Sequence, residues 1–201
     1  MGLAISELYL CAIDRLAAEL IGEFVEMVEW WAEKIRSDEL AAREPIKFQR
    51  LRSRHYKEWV ENWPDWNRQL AHMSAIQALS RLKAYRPPDR RPAEADLRFP
   101  AAVIHPAMVK IEGCSLKISV RKSGPAYERS HVKLTPLSEL GAILLRQAEL
   151  GAWGLGQAVL TRRWILLTFE SEEIDSRALA LINELLKSAQ RLSPKHEVKY
   201  F

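Results

Sequence analysis

Residues 157–170 read QAVLTRRWILLTFE. The run alternates through Trp164, Leu166 and Thr168 on one side and Ile165, Leu167 and Phe169 on the other, the period of two that belongs to a half-buried β-strand. QAVL before it is a second short apolar run, and TRR between them leaves room only for a tight turn. The stretch therefore predicts an antiparallel strand, turn and strand, with Ile165, Leu167 and Phe169 facing a core and Arg162 and Arg163 at the rim. A chain with such a hairpin near its end needs further strands to pair with it.

Those strands are legible upstream. After Pro100 the sequence gives AAVIHP, MVKIE, a turn at Gly113, SLKISVR, a turn at KSGP, and HVKL, which read as antiparallel strands. SELGAILLRQAEL reads as a helix, and the glycines 151, 154 and 156 are assigned to the turn that follows it. The first ninety residues have a different periodicity. Ile13, Leu16, Ala17, Leu20, Ile21, Phe24, Val25, Val28, Trp31, Ala32 and Ile35 step by threes and fours, one face of a long helix ending near Arg36. Pro45 is suited to the first turn of a second helix that continues to Pro64, and Asp65 to the cap of a third that the Pro-rich stretch RPPDRRP ends. A last amphipathic helix, capped by Asp175 or Ser176, follows the hairpin. The fold class is thus α+β: an N-terminal helical bundle, a small antiparallel β-barrel or sheet, and a C-terminal helix. The domains are 1–99, 100–170 and 171–201.

Charge divides along the same lines. Residues 1–42 carry three Lys/Arg against nine Asp/Glu and residues 43–99 carry thirteen against seven, so the middle of the chain is the basic part and an acidic helix precedes it. This asymmetry suggests a polyanionic partner. Arg43, Lys47, Arg50, Arg54 and Lys57 recur at intervals of four, three, four and three, which lines one helical ridge; the competing assignment is a solvated face. Tyr56, Trp59, Trp63 and Trp66 interleave with Lys57 and Arg68; Trp59 and Trp63 are assigned to the core, whereas Trp66 beside Arg68 is a candidate for stacking on bases. Trp31 lies on the apolar stripe and Trp30 off it, so Trp30 is the residue expected to touch another layer or a partner.

No constellation for catalysis is present in the spacing. The five histidines are scattered, Cys11 and Cys114 are expected to be two reduced thiols, and neither a Gly-x-Ser-x-Gly elbow nor a phosphate-cradling loop occurs. No cofactor or metal is expected. No apolar run approaches the ~20 residues of a membrane span, and a cytoplasmic location is expected.

The helical block with its basic Tyr/Trp-rich segment, the Pro-rich break, VIHPAMVKIEGCSLKISVRKS and then LGQAVLTRRWILLTFESE together resemble the region ahead of the nuclease domain in TnpB, the transposon-encoded RNA-guided nuclease related to type V CRISPR effectors. In that family a helical recognition lobe interrupts a β-barrel wedge domain. The resemblance makes residues 102–170 wedge-like and residues 13–86 recognition-lobe-like. It departs from the family in two places. The family's opening barrel strand is expected to be shortened or lost before Ile13, and the RuvC-like acids are missing, since only SEEIDSRALA follows and Asp175 has no partners. The resemblance implies a nuclease-less protein binding structured RNA, an RNA–DNA hybrid or transposon-end DNA. The contacts expected are the ridge Arg43 to Lys57, Trp66 and Arg68, a basic edge of Arg86, Arg90 and Arg91, and a second patch of Arg121, Lys122, Arg162 and Arg163. The second reading is an interaction module whose acidic first helix docks a partner through Trp30 and Trp31; a separately encoded nuclease and a second copy of the chain are the partners considered.

Overall fold

A computed structural model describes residues 3–42, 44–84, 100–123 and 125–171. The last helix expected from the sequence, with Asp175 and Ser176, lies outside them.

The chain opens with a strand. β1 (Leu3–Ala12) is the central member of a seven-stranded antiparallel sheet. This overturns both the expectation of a shortened or lost opening strand and the helical reading of the first residues. Three helices follow: α1 (Arg15–Ala42), α2 (Phe48–Asn62) and α3 (Gln69–Ala84). The chain then returns to the sheet with β2 (Ala102–Ile104), a 3-10 turn (Pro106–Met108), β3 (Val109–Glu112), β4 (Ser115–Ser123) and β5 (Ala126–Pro136). α4 (Glu139–Glu149), β6 (Gly154–Leu160) and β7 (Trp164–Ser171) complete the described part. The order across the sheet is β2-β6-β7-β1-β5-β4-β3, so the fold is α+β with the helical block inserted between the first and second strands.

The sheet has to curl. Its edge strands β2 and β3 are consecutive in the chain, joined only by residues 105–108. A flat sheet of seven strands would separate its edges by roughly six spacings of ~4.8 Å, near 29 Å. Five extended residue steps reach at most ~18 Å. The edges are consequently drawn together into a half-barrel, and the link is compact: His105 Nδ1 accepts from the Ala107 N–H, Pro106 occupies the first turn, and Met108 points into the core. The 3-10 turn touches β4 and β6, the neighbours of the two edge strands.

Local chemistry accounts for the departures in the helices. α1 continues to Ala42 because nothing between Arg36 and Ala42 breaks a helix. Ile46 is buried and its N–H donates to Glu39, which keeps Pro45–Lys47 out of the helix, so α2 begins at Phe48 with Lys47 as its cap residue. Asp65 does not cap α3: Asn67 Oδ1 accepts from the Gln69 N–H, while the Asp65 carbonyl accepts from Lys122 N–H of β4. β3 pairs with β4 only as far as Ile118, leaving the next residues of β4 with a strand on the β5 side alone, and residues 65–67 bond there with Asn67 N–H on the Val120 carbonyl and Asn67 Nδ2 on the Ser119 carbonyl. Of the glycines, Gly151 (φ 77°) does serve the turn, as Gly113 (φ 57°) serves the β3–β4 hairpin. Gly154 and Gly156 instead belong to β6, where the Glu170 side chain lies over Gly156 beside a register shift.

Two buried joints tie the layers together. Tyr9, fully buried on β1, meets Phe169 edge-on at 6.3 Å and donates its hydroxyl to the Gly141 carbonyl of α4 at 2.9 Å, and the lack of a Cβ at Gly141 lets that helix rest on the ring. Burial, with Glu7 adding to it, raises the Tyr9 hydroxyl well above the ordinary phenol range. Asp14 caps α1 through the Ala17 N–H at 2.8 Å and reaches across to β5, accepting from the Ser130 hydroxyl at 2.8 Å and the His131 N–H at 2.6 Å. Partial burial alone would raise the Asp14 carboxyl; the His131 and Ala17 amides, the Ser130 hydroxyl and the nearby imidazole outweigh it and hold the group below its ordinary 3.8.

Two outcomes are expected. Leu167, with no exposed surface, loses about 2–5 kcal/mol on Leu167→Ala, whereas Leu10→Ala, on a side chain 49% exposed, loses less than half as much, as urea unfolding would measure. Because the folded pKa of Asp14 is depressed, its stabilisation is complete above the unfolded value near 3.8 and is lost as pH falls through the folded one. Asp14→Asn is therefore less stable than the parent at neutral pH, and the difference closes on acidification through the folded-state value, below the ordinary 3.8.

Candidate nucleic-acid interface

Two members of the basic ridge are paired within the chain, one of them to the acidic helix before it. Arg50 pairs with Glu44 at 2.9 Å; Arg54 pairs with Asp38 of α1 at 3.2 Å, and the same carboxylate holds His55 at 3.0 Å. Lys34 of α1 reciprocates by pairing with Glu58 of α2, holding that carboxyl below its usual range. Among the described ridge residues, Arg54 alone thus meets an acid of α1. Arg43 lies outside the described residues, as do Arg86, Arg90 and Arg91. Lys47 precedes α2 and Lys57 lies on it, both exposed with no acid partner among the described residues.

The aromatic candidates are also engaged inside the molecule. Trp59 is fully buried, stacked with Tyr56 and Trp63, and Trp63 donates its indole N–H to Glu23 of α1 at 3.0 Å. Trp31 is fully buried. Trp30 packs edge-on against Trp31, His55 and Trp63 with Lys34 over its ring, so the layer it touches is α2. Of the two indoles on which the second reading builds, Trp31 is thus enclosed in the core and Trp30 is half-buried against α2. Arg68 donates to the Trp63 and Pro64 carbonyls, terminating α2, and lies over the Trp59 ring. Trp66 is bridged to Arg121, whose guanidinium lies over it while pairing with Glu128 at 2.8 Å and Glu19 at 3.1 Å. Arg68, Trp66 and Arg121 thus fasten the loop between α2 and α3 to β4.

Lys122, Arg162 and Arg163 differ from these. All three are exposed and without an acid partner among the described residues. The turn holding the arginines is locked by Thr161: its N–H donates to the Trp164 carbonyl, and its hydroxyl oxygen accepts from the Trp164 N–H at 3.0 Å and the Arg163 N–H at 3.3 Å. β1 runs beside it, with the Cys11 N–H on the Arg163 carbonyl and Ala12 paired to Lys133 of β5. Burial raises the Cys11 thiol to about 11, so it stays a neutral neighbour of this turn.

Lys133 introduces a feature that the sequence reading missed. β5 buries Ser130, Val132 and Leu134 and exposes Tyr127, Arg129, His131 and Lys133, so Arg129 and Lys133 bring two cations to the outer face of the sheet. The period-two spacing of YERSHVKL carries that signal. Next to the stripe, Lys117 is in register with His131 and Lys110 with Lys117, but both lysines pair with Glu112. Among the described residues, the outer face of β5 thus contributes the unpaired cations Arg129 and Lys133, and the β6–β7 turn, whose strand β7 flanks β1 on its other side, contributes the unpaired Arg162 and Arg163.

The sequence matches no protein-family model, and no curated protein matches it.

The ion pairs predict opposite behaviour for neighbouring positions on α2. Arg54→Glu sets two carboxylates against each other at Asp38 and lowers stability by about 1 kcal/mol, whereas Lys57→Glu stays within about 0.5 kcal/mol of the parent in urea unfolding.

Proposed function

We propose that this protein binds nucleic acid through the phosphate backbone, using the outer face of its sheet as the principal contact. The observation that carries the reading is that Arg129 and Lys133 on the outer face of β5 and Arg162 and Arg163 at the β6–β7 turn stand exposed with no acid partner among the described residues, while Arg50 and Arg54 of the α2 ridge are paired within the chain. Cations so placed attract phosphates irrespective of sequence, and the exposed Lys122 of β4 adds to the positive charge of the sheet. Structured RNA, an RNA–DNA hybrid and transposon-end DNA are the ligands in view. The insertion of a helical block after the first strand of a curled sheet is the arrangement that the TnpB resemblance implies, and it supports that reading. The reading assigns the chain no catalytic step and places it in the cytoplasm, with its ligand. No described helix is long and apolar enough to cross a membrane.

The test is a salt titration of binding. Protein freed of co-purifying nucleic acid by nuclease and high salt is titrated against labelled RNA and DNA by fluorescence anisotropy. Replacing Lys133, Arg162 and Arg163 together by alanine is expected to weaken binding to every sequence and to lower the slope of log K against log salt by roughly 0.7–0.9 for each phosphate no longer neutralised. An unchanged slope in a variant with parental circular dichroism removes this face from the interface.

A further inference from the structure

The cationic end of the outer face gives way to an apolar one. Along β1 and its neighbours the outward rows run Lys133 and Ala12; then Thr135, Leu10 and Trp164; then Leu8, Leu166 and Val159; then Ser6 and Thr168, hydrogen-bonded at 3.1 Å. Leu8 is 40% and Leu10 49% exposed, and Trp164, Leu166 and Val159 are half-buried on the same side. No described element packs over them: α1 contacts β2, β4 and β5, and α4 lies on Tyr9 from the inner side. Trp164 follows directly after Arg162 and Arg163. The first acid in its outward line along β7 is Glu170, six residues or about 20 Å away.

We infer that this face is a site for single-stranded nucleic acid, in which an unpaired base stacks on Trp164 and its neighbours lie on Leu8, Leu10 and Leu166 while Lys133, Arg162 and Arg163 hold the adjoining phosphates. The inference rests on the nucleic-acid reading and narrows it. An aromatic ring set among aliphatic side chains offers a π-face to any base but nothing to the closed edge of a duplex, whose bases are stacked on one another. The cations one row away supply the complementary charge and bias the occupant toward a polyanion. A purely hydrophobic partner would leave Lys133 and the two arginines against its rim without counter-charge.

The experiment compares a labelled twelve-nucleotide uridine strand with a hairpin duplex of the same charge. Trp164→Leu keeps an apolar side chain and removes the stacking ring; Leu10→Glu changes an exposed residue and sets a carboxylate beside the phosphates; Trp164→Phe keeps a smaller ring. The expected result is a 5- to 100-fold loss of single-strand affinity for Trp164→Leu and Leu10→Glu, partial recovery for Trp164→Phe, and duplex affinity within threefold for Trp164→Leu. Equal losses on strand and duplex, or parental strand affinity in Trp164→Leu, overturn the stacking site. If the triple variant of Lys133, Arg162 and Arg163 still weakens binding in that case, backbone binding survives and only the single-strand site falls. A parent that sediments as a dimer which Leu10→Glu dissociates assigns the face to a second copy and also overturns the proposal. Leu10→Glu and Trp164→Leu report independently, so a folding defect in one, seen by circular dichroism, leaves the other decisive.

Discussion

The short link between the two edges of the sheet constrains everything else. Four residues between β2 and β3 cannot span a flat seven-stranded sheet, so the strands must wrap, and wrapping creates an inside and an outside. The inside takes Leu116, Ile118, Val120, Val132, Leu134, Ile165, Leu167 and Phe169 into one continuous core with the apolar stripe of α1. The long insertion between β1 and β2 can be accommodated because β1 is held in mid-sheet by β7 and β5, which arrive much later in the chain. Such a centre is built from contacts distant in the chain, and closing it is entropically costly. The outside is left without a covering layer among the described residues, and that is where the unpaired cations and Trp164 are found.

The helical block is held in its arrangement by two kinds of contact of unequal weight. Ion pairs between α1 and α2, such as Asp38 with Arg54, are partly exposed and contribute about 0–1 kcal/mol each. The cluster of Trp30, Trp31, Trp59 and Trp63 buries far more surface. Trp31 and Trp59 even leave their indole N–H groups without an acceptor, a cost their packing must exceed. Aromatic packing therefore supplies the affinity between these helices, and the charges select which faces meet. The two helices thus meet through their aromatic side chains, with the pairs Asp38–Arg54 and Lys34–Glu58 added between them.

Legibility in the sequence followed the range of the interactions. The β6–β7 hairpin was readable because Ile165, Leu167 and Phe169 alternate strictly with side chains of the outer face, and the stripe of α1 was readable because its period is local. β1 was not. In LAISELYLCA both faces carry apolar residues, Ile5 and Tyr9 toward the core and Leu8 and Leu10 away from it, so the alternation that marks a strand is blurred by the outer patch. The ridge on α2 looked free for a different reason: Asp38, the partner of Arg54, is sixteen residues away on another helix, and no spacing rule links them. The stripe Tyr127, Arg129, His131 and Lys133 was open to the same period-two rule, but Glu128 and Ser130 between its members hid it inside a polar strand whose pairing partners were unknown.

Register couples the outer face to the core. A slip of one residue between β1 and β7 would bring Ile165, Leu167 and Phe169 to the surface and drive Trp164 and Thr168 inward, exchanging core and site at once. Several contacts oppose such a slip. Thr161 uses its hydroxyl to hold both Arg163 and Trp164 by their N–H groups, so the turn cannot migrate along the strand without losing them. Ser6 and Thr168 pair across the strands at 3.1 Å, and Tyr9, opposite Ile165, is pinned to Gly141 of α4. The register shift in β6 beside Gly156 is confined to the far end of the hairpin, away from the arginines. The same contacts that bury Phe169 therefore determine that Trp164 stands outward next to Arg162 and Arg163, and a core built on this register displays the cationic and apolar rows together.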